Sequence, residues 1–199
     1  MKDIKVTILL ATYNGEKYIR EQLDSIFNQT FKNIDVVVRD DGSSDGTISI
    51  LEEYKKSNRL SYIKGSNLGA FPNFIELIHI APDSDYYAYS DQDDIWASNK
   101  ISQMAEYMEA HKSCLCTHCD AELIDSNRHI LQESLFLDQK NIINSSEYQS
   151  TVFLRKNWTL GCAMLLRADA VKAAMPFPRM VYNDQWLAIW SVFHGEFVF

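Results

Sequence analysis

No apolar run in the 199 residues approaches the ~18 consecutive positions that a membrane-spanning helix requires. The N-terminus lacks a secretory leader, since Met1-Lys2-Asp3 runs straight into a strand-like stretch. Both absences predict a cytoplasmic protein. Positive charge is scarce: 19 Lys and Arg stand against 27 Asp and Glu, a net charge of -8. That balance excludes nucleic acid as the main partner, because a phosphate backbone calls for basic surface. It also means that a diphosphate ligand would be repelled unless a cation neutralised it. Neither Gly-x-Gly-x-x-Gly nor a Gly-Lys-Ser/Thr loop follows the first strand-like run, where the chain reads Ala11-Thr12-Tyr13-Asn14-Gly15-Glu16. Dinucleotide-binding and phosphate-loop folds are thereby set aside. Internal repeats and low-complexity linkers are absent.

Cysteine is limited to Cys114, Cys116, Cys119 and Cys162. Zinc sites usually combine two short ligand pairs across a longer loop, and here only Cys162 is distant. Alternation along a buried strand accounts for Cys114 and Cys116 as small core residues. Asn-x-Ser/Thr consensus sites at Asn28, Asn144 and Asn157 read as chance in a cytoplasmic chain.

What is present is a chain with 46% hydrophobic residues, long enough to bury one full core as a single domain. Ile4 to Ala11 is a continuous apolar and β-branched run, the pattern of a strand buried on both faces. Tyr18, Ile19, Leu23, Ile26 and Phe27 then recur at helical spacing. The alternation continues with a strand at Ile34–Val38, a helix around Ile48 to Tyr54, a strand at Leu60–Lys64, a helix from about Pro72 to Ile80 and a strand at Tyr86–Ser90. Strands alternating with helices predict an α/β fold with a mostly parallel sheet flanked by helices. The second half changes character. A helix carrying Ile101 and Met104 leads to a strand at Cys114–Asp120, and residues 122–137 suggest antiparallel pairing about a turn at Asp125-Ser126-Asn127. The polar residues 138–150 read as a loop or short helix. A strand at Thr159–Leu166, a helix at Ala168–Ala174, a helix capped by Asn183-Asp184-Gln185 and a strand begun at Gly195–Phe199 complete the chain.

Ligands bind beyond the carboxyl ends of strands in such sheets, and the polar stretches fall at those ends. The most unusual is Tyr89-Ser90-Asp91-Gln92-Asp93-Asp94-Ile95-Trp96. Three carboxylates in four residues repel one another, a penalty relieved if a hard cation such as Mg²⁺ or Mn²⁺ sits among them. A solvated acidic turn is the plain alternative.

The ordered set Ala11-Thr12-Tyr13-Asn14-Gly15, Asp40-Asp41-Gly42-Ser43-Ser44-Asp45-Gly46-Thr47, Asn67-Leu68-Gly69, Ser90–Trp96, Gly161-Cys162 and Asp184-Gln185-Trp186 resembles family 2 glycosyltransferases. These are inverting enzymes of the GT-A fold, a Rossmann-like sheet with an antiparallel C-terminal part. The form of the acidic motif is similar to a bacterial rhamnosyltransferase-like branch. The resemblance implies a nucleotide-binding half over 1–97 and an acceptor-side half over 98–199, the chain stopping where family members continue. It implies a UDP- or dTDP-sugar donor, rhamnose being one such sugar, and a growing cell-surface glycan as acceptor, lipid-linked at the inner membrane face. By the same resemblance, the backbone at Ala11 and the ring of Tyr13 line the nucleobase pocket. Asp41 accepts from the base N3–H, Asp91 lies near ribose and metal, and Asp93 is the principal ligand of Mn²⁺ or Mg²⁺. Asp184 is the general base. Gln92 stands in the motif where small or acidic residues are common, so metal preference is expected to differ. The rival readings are a nucleotidyltransferase, which would show a basic Gly-rich loop after the first strand, and a non-catalytic nucleotide-sugar binding module.

Overall fold

The computed structural model describes residues 4–137 and 149–199. The loop or short helix expected before residue 149, and the Asn144 consensus within it, lie outside the described residues. The strands are β1 (Val6–Thr12), β2 (Ile34–Asp40), β3 (Ser61–Lys64), β4 (Tyr86–Ser90), β5 (Cys114–His118), β6 (Leu123–Ile124), β7 (Ile130–Gln132), β8 (Met164–Arg167) and β9 (Glu196–Val198). The helices are α1 (Ile19–Phe27), α2 (Thr47–Lys56), α3 (Ala70–Ile80), α4 (Lys100–Ala110), α5 (Gln149–Arg155), α6 (Ala168–Ala173) and α7 (Asn183–His194). None of the helices among the described residues is long and apolar enough to cross a membrane.

One sheet runs β3-β2-β1-β4-β8-β5-β9, and β6-β7 form a separate antiparallel pair. Within the large sheet β8 lies antiparallel between β4 and β5, and the other pairings are parallel. The apolar run of β1 becomes a central strand because both of its faces are covered. Ile8 and Leu10 enter one core layer with α1, α2 and α4, while Leu9 enters the opposite layer with α3, α6 and α7. β4 repeats the division, with Tyr86 and Ala88 on the first side and Tyr87 and Tyr89 on the second. α1 buries Ile19, Gln22, Leu23 and Ile26, one helical stripe in which Gln22 is the polar member. A register shift between Cys114 and Cys116 sends the two buried cysteines into opposite layers.

Two expectations need correction. The strand expected from Thr159 begins only at Met164, because Gly161–Ala163 form a short 3₁₀ turn. The Leu160 N–H leaves the ladder to bond the His118 Nε2, and Gly161 passes close over Tyr89, where an added Cβ would stand 3.4 Å from the ring. Second, Asn183 and Asp184 do not precede the last helix as caps. They form its first turn, after Tyr182, and no side chain caps that end.

The chain leaves β1 toward β2 and β3 on one side, whereas β4 lies on the other. The carboxyl ends of β1 and β4 therefore flank the topological switch point, where a crevice opens in sheets of this kind.

Candidate active site

The loops at these ends are joined by hydrogen bonds rather than by apolar packing. The Asp41 N–H donates to Thr12 O at 2.8 Å. The Asn14 N–H donates to Ser43 Oγ, Gly15 N–H to Thr47 Oγ1, and Ser44 N–H to Asn14 Oδ1, all at 2.8 Å. Gly42 takes φ +91°, a conformation that glycine adopts without strain, which lets the Asp40 carboxylate collect the N–H groups of Gly42 and Ser43. Asp41 is almost fully buried. Its carboxylate accepts from Arg39 Nη1 at 2.7 Å and from the Leu68 and Gly69 N–H groups. Burial opposes its ionisation, but the two amides and the guanidinium outweigh that and hold it below the usual carboxylate range. Tyr13 stays 45% exposed at the end of β1.

The acidic turn after β4 is tied to this loop by Gln92. Its Oε1 accepts from Thr12 Oγ1 at 2.6 Å and from the Tyr13 N–H at 2.9 Å, and its Nε2 donates to Tyr13 O at 3.1 Å. The Gln92 amide thus faces the loop after β1, away from any cation role. From below, buried Gln22 of α1 supports the same turn. With its amide oriented to satisfy every neighbour, it donates to Asp94 O at 2.5 Å and accepts from Ser90 Oγ and Trp96 Nε1. Trp96 is a core residue, with the Lys100 ammonium 3.8 Å from its ring centroid. Lys100 donates to Cys162 O, which pulls the 3₁₀ turn toward the acidic motif.

Among the described residues, Asp91, Asp94 and Cys162 bring their ligand atoms within 4.8 Å of one another. Asp94 Oδ2 is buried and has no hydrogen-bond partner among the described residues. Although the residue keeps exposed surface, desolvation of the Asp91 carboxyl by the atoms around it, followed by the charges on Asp94 and Asp93, pushes it up to about 6. Two crowded carboxylates with an orphaned oxygen fit a hard divalent cation such as Mn²⁺ or Mg²⁺, which prefers those oxygens to the nearby Cys162 thiol that burial keeps protonated. Asp93 is not in this trio. It borders a second depression beside Arg128, with Glu21 and Asp125.

Asp184 lies across a cavity of about 270 Å³ that Asp91 also lines, together with Phe71, Phe74, Tyr89 and Asn183. Its Oδ1 accepts from Asn157 Nδ2 at 3.1 Å and from the Gln185 N–H at 2.7 Å. Burial raises its affinity for a proton despite these donors. The structure thus brings Asp91 and Asp184 to one cavity and Ala11, Tyr13 and Asp41 to the adjoining rim, whereas Asp93 faces elsewhere and Asp94 takes a place beside Asp91. Sequence reasoning missed Gln22, Asn157 and Lys100. Asn157 was read only as a chance glycosylation consensus, and its contact with Asp184 spans a stretch no local pattern covers.

Comparisons with known proteins bear on the family and the fold. The model of glycosyl transferase family 2 matches residues 7–173. A dTDP-rhamnosyl transferase of Shigella flexneri, RfbG, is 29% identical over 201 residues, covering 96% of this chain and 63% of the relative. The S. aureus TarS structure with UDP-GlcNAc superposes with a TM-score of 0.72 at 23% identity, over 96% of this chain and 54% of that one. A mannosyltransferase from Pyrobaculum calidifontis, in complex with GDP-Man and Mn²⁺, gives a TM-score of 0.72 at 18% identity, over 98% and 54%. The chain thus spans less than two thirds of the length of each. With the fold, the ordered loops and the family match in agreement, the chain belongs to glycosyl transferase family 2.

Proposed function

We propose that this protein transfers a sugar from a UDP- or dTDP-sugar to a hydroxyl of a growing surface glycan, with inversion at the anomeric carbon. The observation that carries the reading is the pairing of Asp91 and Asp184 across one cavity at the switch point, with a cation-ready carboxylate pair behind Asp91. A single in-line displacement needs a base on the acceptor side and charge stabilisation on the diphosphate side. Asp184 accepts the acceptor hydroxyl proton, held in place by Asn157 and the Gln185 N–H. Tyr13 offers its exposed ring to a pyrimidine and the Ala11 backbone lines the base pocket, while Asp41, buried and already bonded to Arg39 and the Leu68 and Gly69 N–H groups, would have to open toward the base to accept from the N3–H shared by uracil and thymine. Asp91 and Asp94, with Cys162 or Asp93 alongside, would hold a divalent cation. That cation would supply neutralisation of the charge developing on the leaving diphosphate. The name of the Shigella relative supports a dTDP-linked donor, and the TarS complex supports a UDP-linked one. A lipid-linked acceptor would place the protein at the inner membrane face.

Calorimetric titration of UDP and dTDP, with Mn²⁺ and with EDTA, tests the site. Binding is expected with Mn²⁺ and is expected to fall at least about tenfold in EDTA. Asp94→Ala is expected to mimic EDTA more closely than Asp93→Ala; the reverse order would return the principal ligand to Asp93. Nucleotide binding that ignores both metal and these variants would sink the assignment.

Gln92 offers a separate check on the loop after β1. Gln92→Ala removes three hydrogen bonds worth about 1 kcal/mol each at most. Urea unfolding should show a loss of roughly 1–3 kcal/mol, and nucleotide affinity should weaken as Tyr13 loses its anchor. A variant that loses stability but binds UDP and dTDP as tightly as the parent would show that Gln92 has no part in placing Tyr13.

A further inference from the structure

Charge is spread unevenly along the chain. From Gln149 to Asn183 five basic residues, Arg155, Lys156, Arg167, Lys172 and Arg179, stand against one acidic residue, Asp169, in a protein whose net charge is -8. Two of the five are engaged: Arg167 donates to the Cys114 and Met108 carbonyls, and Lys172 pairs with Asp83 at 2.7 Å. Arg155, Lys156 and Arg179 are exposed and have no ion-pair partner among the described residues. The same stretch carries apolar side chains that the fold leaves in water. Met180 is 95% exposed, Tyr182 70% and Leu154 61%. These residues sit on two segments fastened side by side. Asn157 Nδ2 donates to Asp184 Oδ1 at 3.1 Å, and Gln185 Nε2 donates to Phe153 O at 2.8 Å. Tyr182 also lines the Asp91–Asp184 cavity, so the basic and apolar face borders that cavity on its Asp184 side.

Single exposed apolar residues are ordinary, but these lie among unpaired cations on the one stretch where an acidic protein reverses its sign. The combination decides between occupants. A soluble polyanion would use the cations and leave Met180 and Leu154 in water. A purely apolar partner would leave the cations without counter-charge. An anionic bilayer satisfies both, because its headgroups pair with Lys and Arg while Met, Leu and Tyr side chains enter the boundary beneath them. We propose that the face formed by residues 154–156 and 179–182 docks on an anionic lipid surface, with the Asp184 end of the cavity turned toward the bilayer. The remainder of the chain is acidic and is repelled by the same surface, so the asymmetry sets the orientation as well as the attachment. The docking stands on charge and exposure; that it presents the cavity to an acceptor rests on the glycosyl-transfer reading.

Co-sedimentation with vesicles tests the face, an equal mixture of phosphatidylglycerol and phosphatidylcholine being compared with phosphatidylcholine alone. The proteins are the parent, Lys156→Gln with Arg179→Gln, Met180→Ser, and a control, Lys55→Gln with Lys56→Gln. The control removes the same charge from exposed positions at the end of α2, on the opposite side of the sheet. The parent is expected to bind the mixed vesicles, to leave the neutral ones in solution and to bind less as salt is added. Losing Lys156 and Arg179 should weaken binding about twentyfold, at about fivefold for each cation held near an anionic surface. Met180→Ser should weaken it about tenfold, and the control should match the parent. Melting temperatures should stay unchanged, because every altered side chain is exposed. Failure of the parent to bind the mixed vesicles would overturn the proposal, and a parent dimer abolished by Met180→Ser would then give the face to a second copy. An equal loss in the control would reduce the binding to general charge attraction and overturn the face. Binding untouched by Met180→Ser would overturn the bilayer in favour of a soluble polyanion. Titration of UDP and dTDP into the same preparations keeps the two readings apart. Vesicle binding without nucleotide binding would retain the docking face and remove the glycosyl-transfer reading, and nucleotide binding without vesicle binding would do the reverse.

Discussion

Asp184→Asn is expected to slow glycosyl transfer by roughly 10²–10⁴-fold, the range that a positioned general base contributes, while UDP and dTDP bind as before. The substitution is nearly isosteric. The Asn157 and Gln185 donors that meet Oδ1 retain an oxygen to bond, so the first turn of α7 should survive. What disappears is the capacity to take a proton. Burial raises the Asp184 carboxyl above its ordinary value of 3.8, which makes it a stronger base than a solvated aspartate. The sign of the pH dependence follows. Only the ionised form can accept a proton, so the parent rate should rise with pH through the raised value and fall in acid. In Asp184→Asn the residual rate should lose that inflection. Single-turnover rates of sugar transfer measured across pH, with nucleotide affinity measured in parallel, separate the outcomes. A variant with nearly full activity and an intact inflection would place the base on another residue. Nucleotide binding without transfer in the parent and the variant alike, with a competent acceptor present, would favour a binding module. Asn157, from the segment before β8, donates to the Asp184 carboxylate at 3.1 Å and so holds it in the first turn of α7.

The strands and helices of the first half were legible because each is governed by one period. β4 occupies Tyr86–Ser90, as the aromatic run indicates, and the apolar stripe of α1 falls on Ile19, Leu23 and Ile26. Where the reading departed from the structure, a contact distant in sequence had decided the outcome. The strand expected from Thr159 gave way to a 3₁₀ turn because His118 captures the Leu160 N–H and the Lys100 ammonium captures Cys162 O. An apolar run carries no trace of either partner. The acidic motif shows the same limit at finer scale. Its composition announced a cation, but which carboxylates face each other depends on the path of the turn, and that path is set by Gln92 bonding to Tyr13 and Gln22 bonding beneath Asp94. Gln22 is not recognisable as part of a site from its neighbours in the chain, and Gln92, though inside the motif, gives no sign there that it bonds the loop after β1. Trp96, the aromatic that closes the motif, lies in the core layer under α1 and α4.

Asp41→Asn should have a large effect on stability, about 3–5 kcal/mol. That is the range for removing one partner of a buried ion pair and leaving the other uncompensated. The pair is Arg39 Nη1 to Asp41 Oδ1 at 2.7 Å, with side chains only 8% and 4% exposed, so solvent offers little screening. Arg39 would keep its bond to Asn73 Oδ1 but would have no anion to balance its charge. At a few degrees per kcal/mol for a chain of this size, the melting temperature is expected to drop by roughly 6–20 °C. Acid should narrow the difference. The Asp41 carboxyl is held below its ordinary 3.8 in the folded protein, so its contribution is complete above the unfolded value and is lost as pH falls through the lower, folded one. Denaturant titrations of parent and variant should therefore converge toward strongly acid pH and diverge to a plateau near neutrality. The same carboxylate gathers the Leu68 and Gly69 N–H groups, with Gly69 at φ +87° opening α3, so its loss also loosens the segment that leads into Phe71 and the Asp91–Asp184 cavity. Nucleotide affinity should fall even at temperatures where the variant remains folded. A loss below about 1 kcal/mol, the size of an exposed pair, would mean that Arg39 finds another counter-charge. The link from β2 through Asp41 to the donor site would then have to run through the Asp40 turn instead.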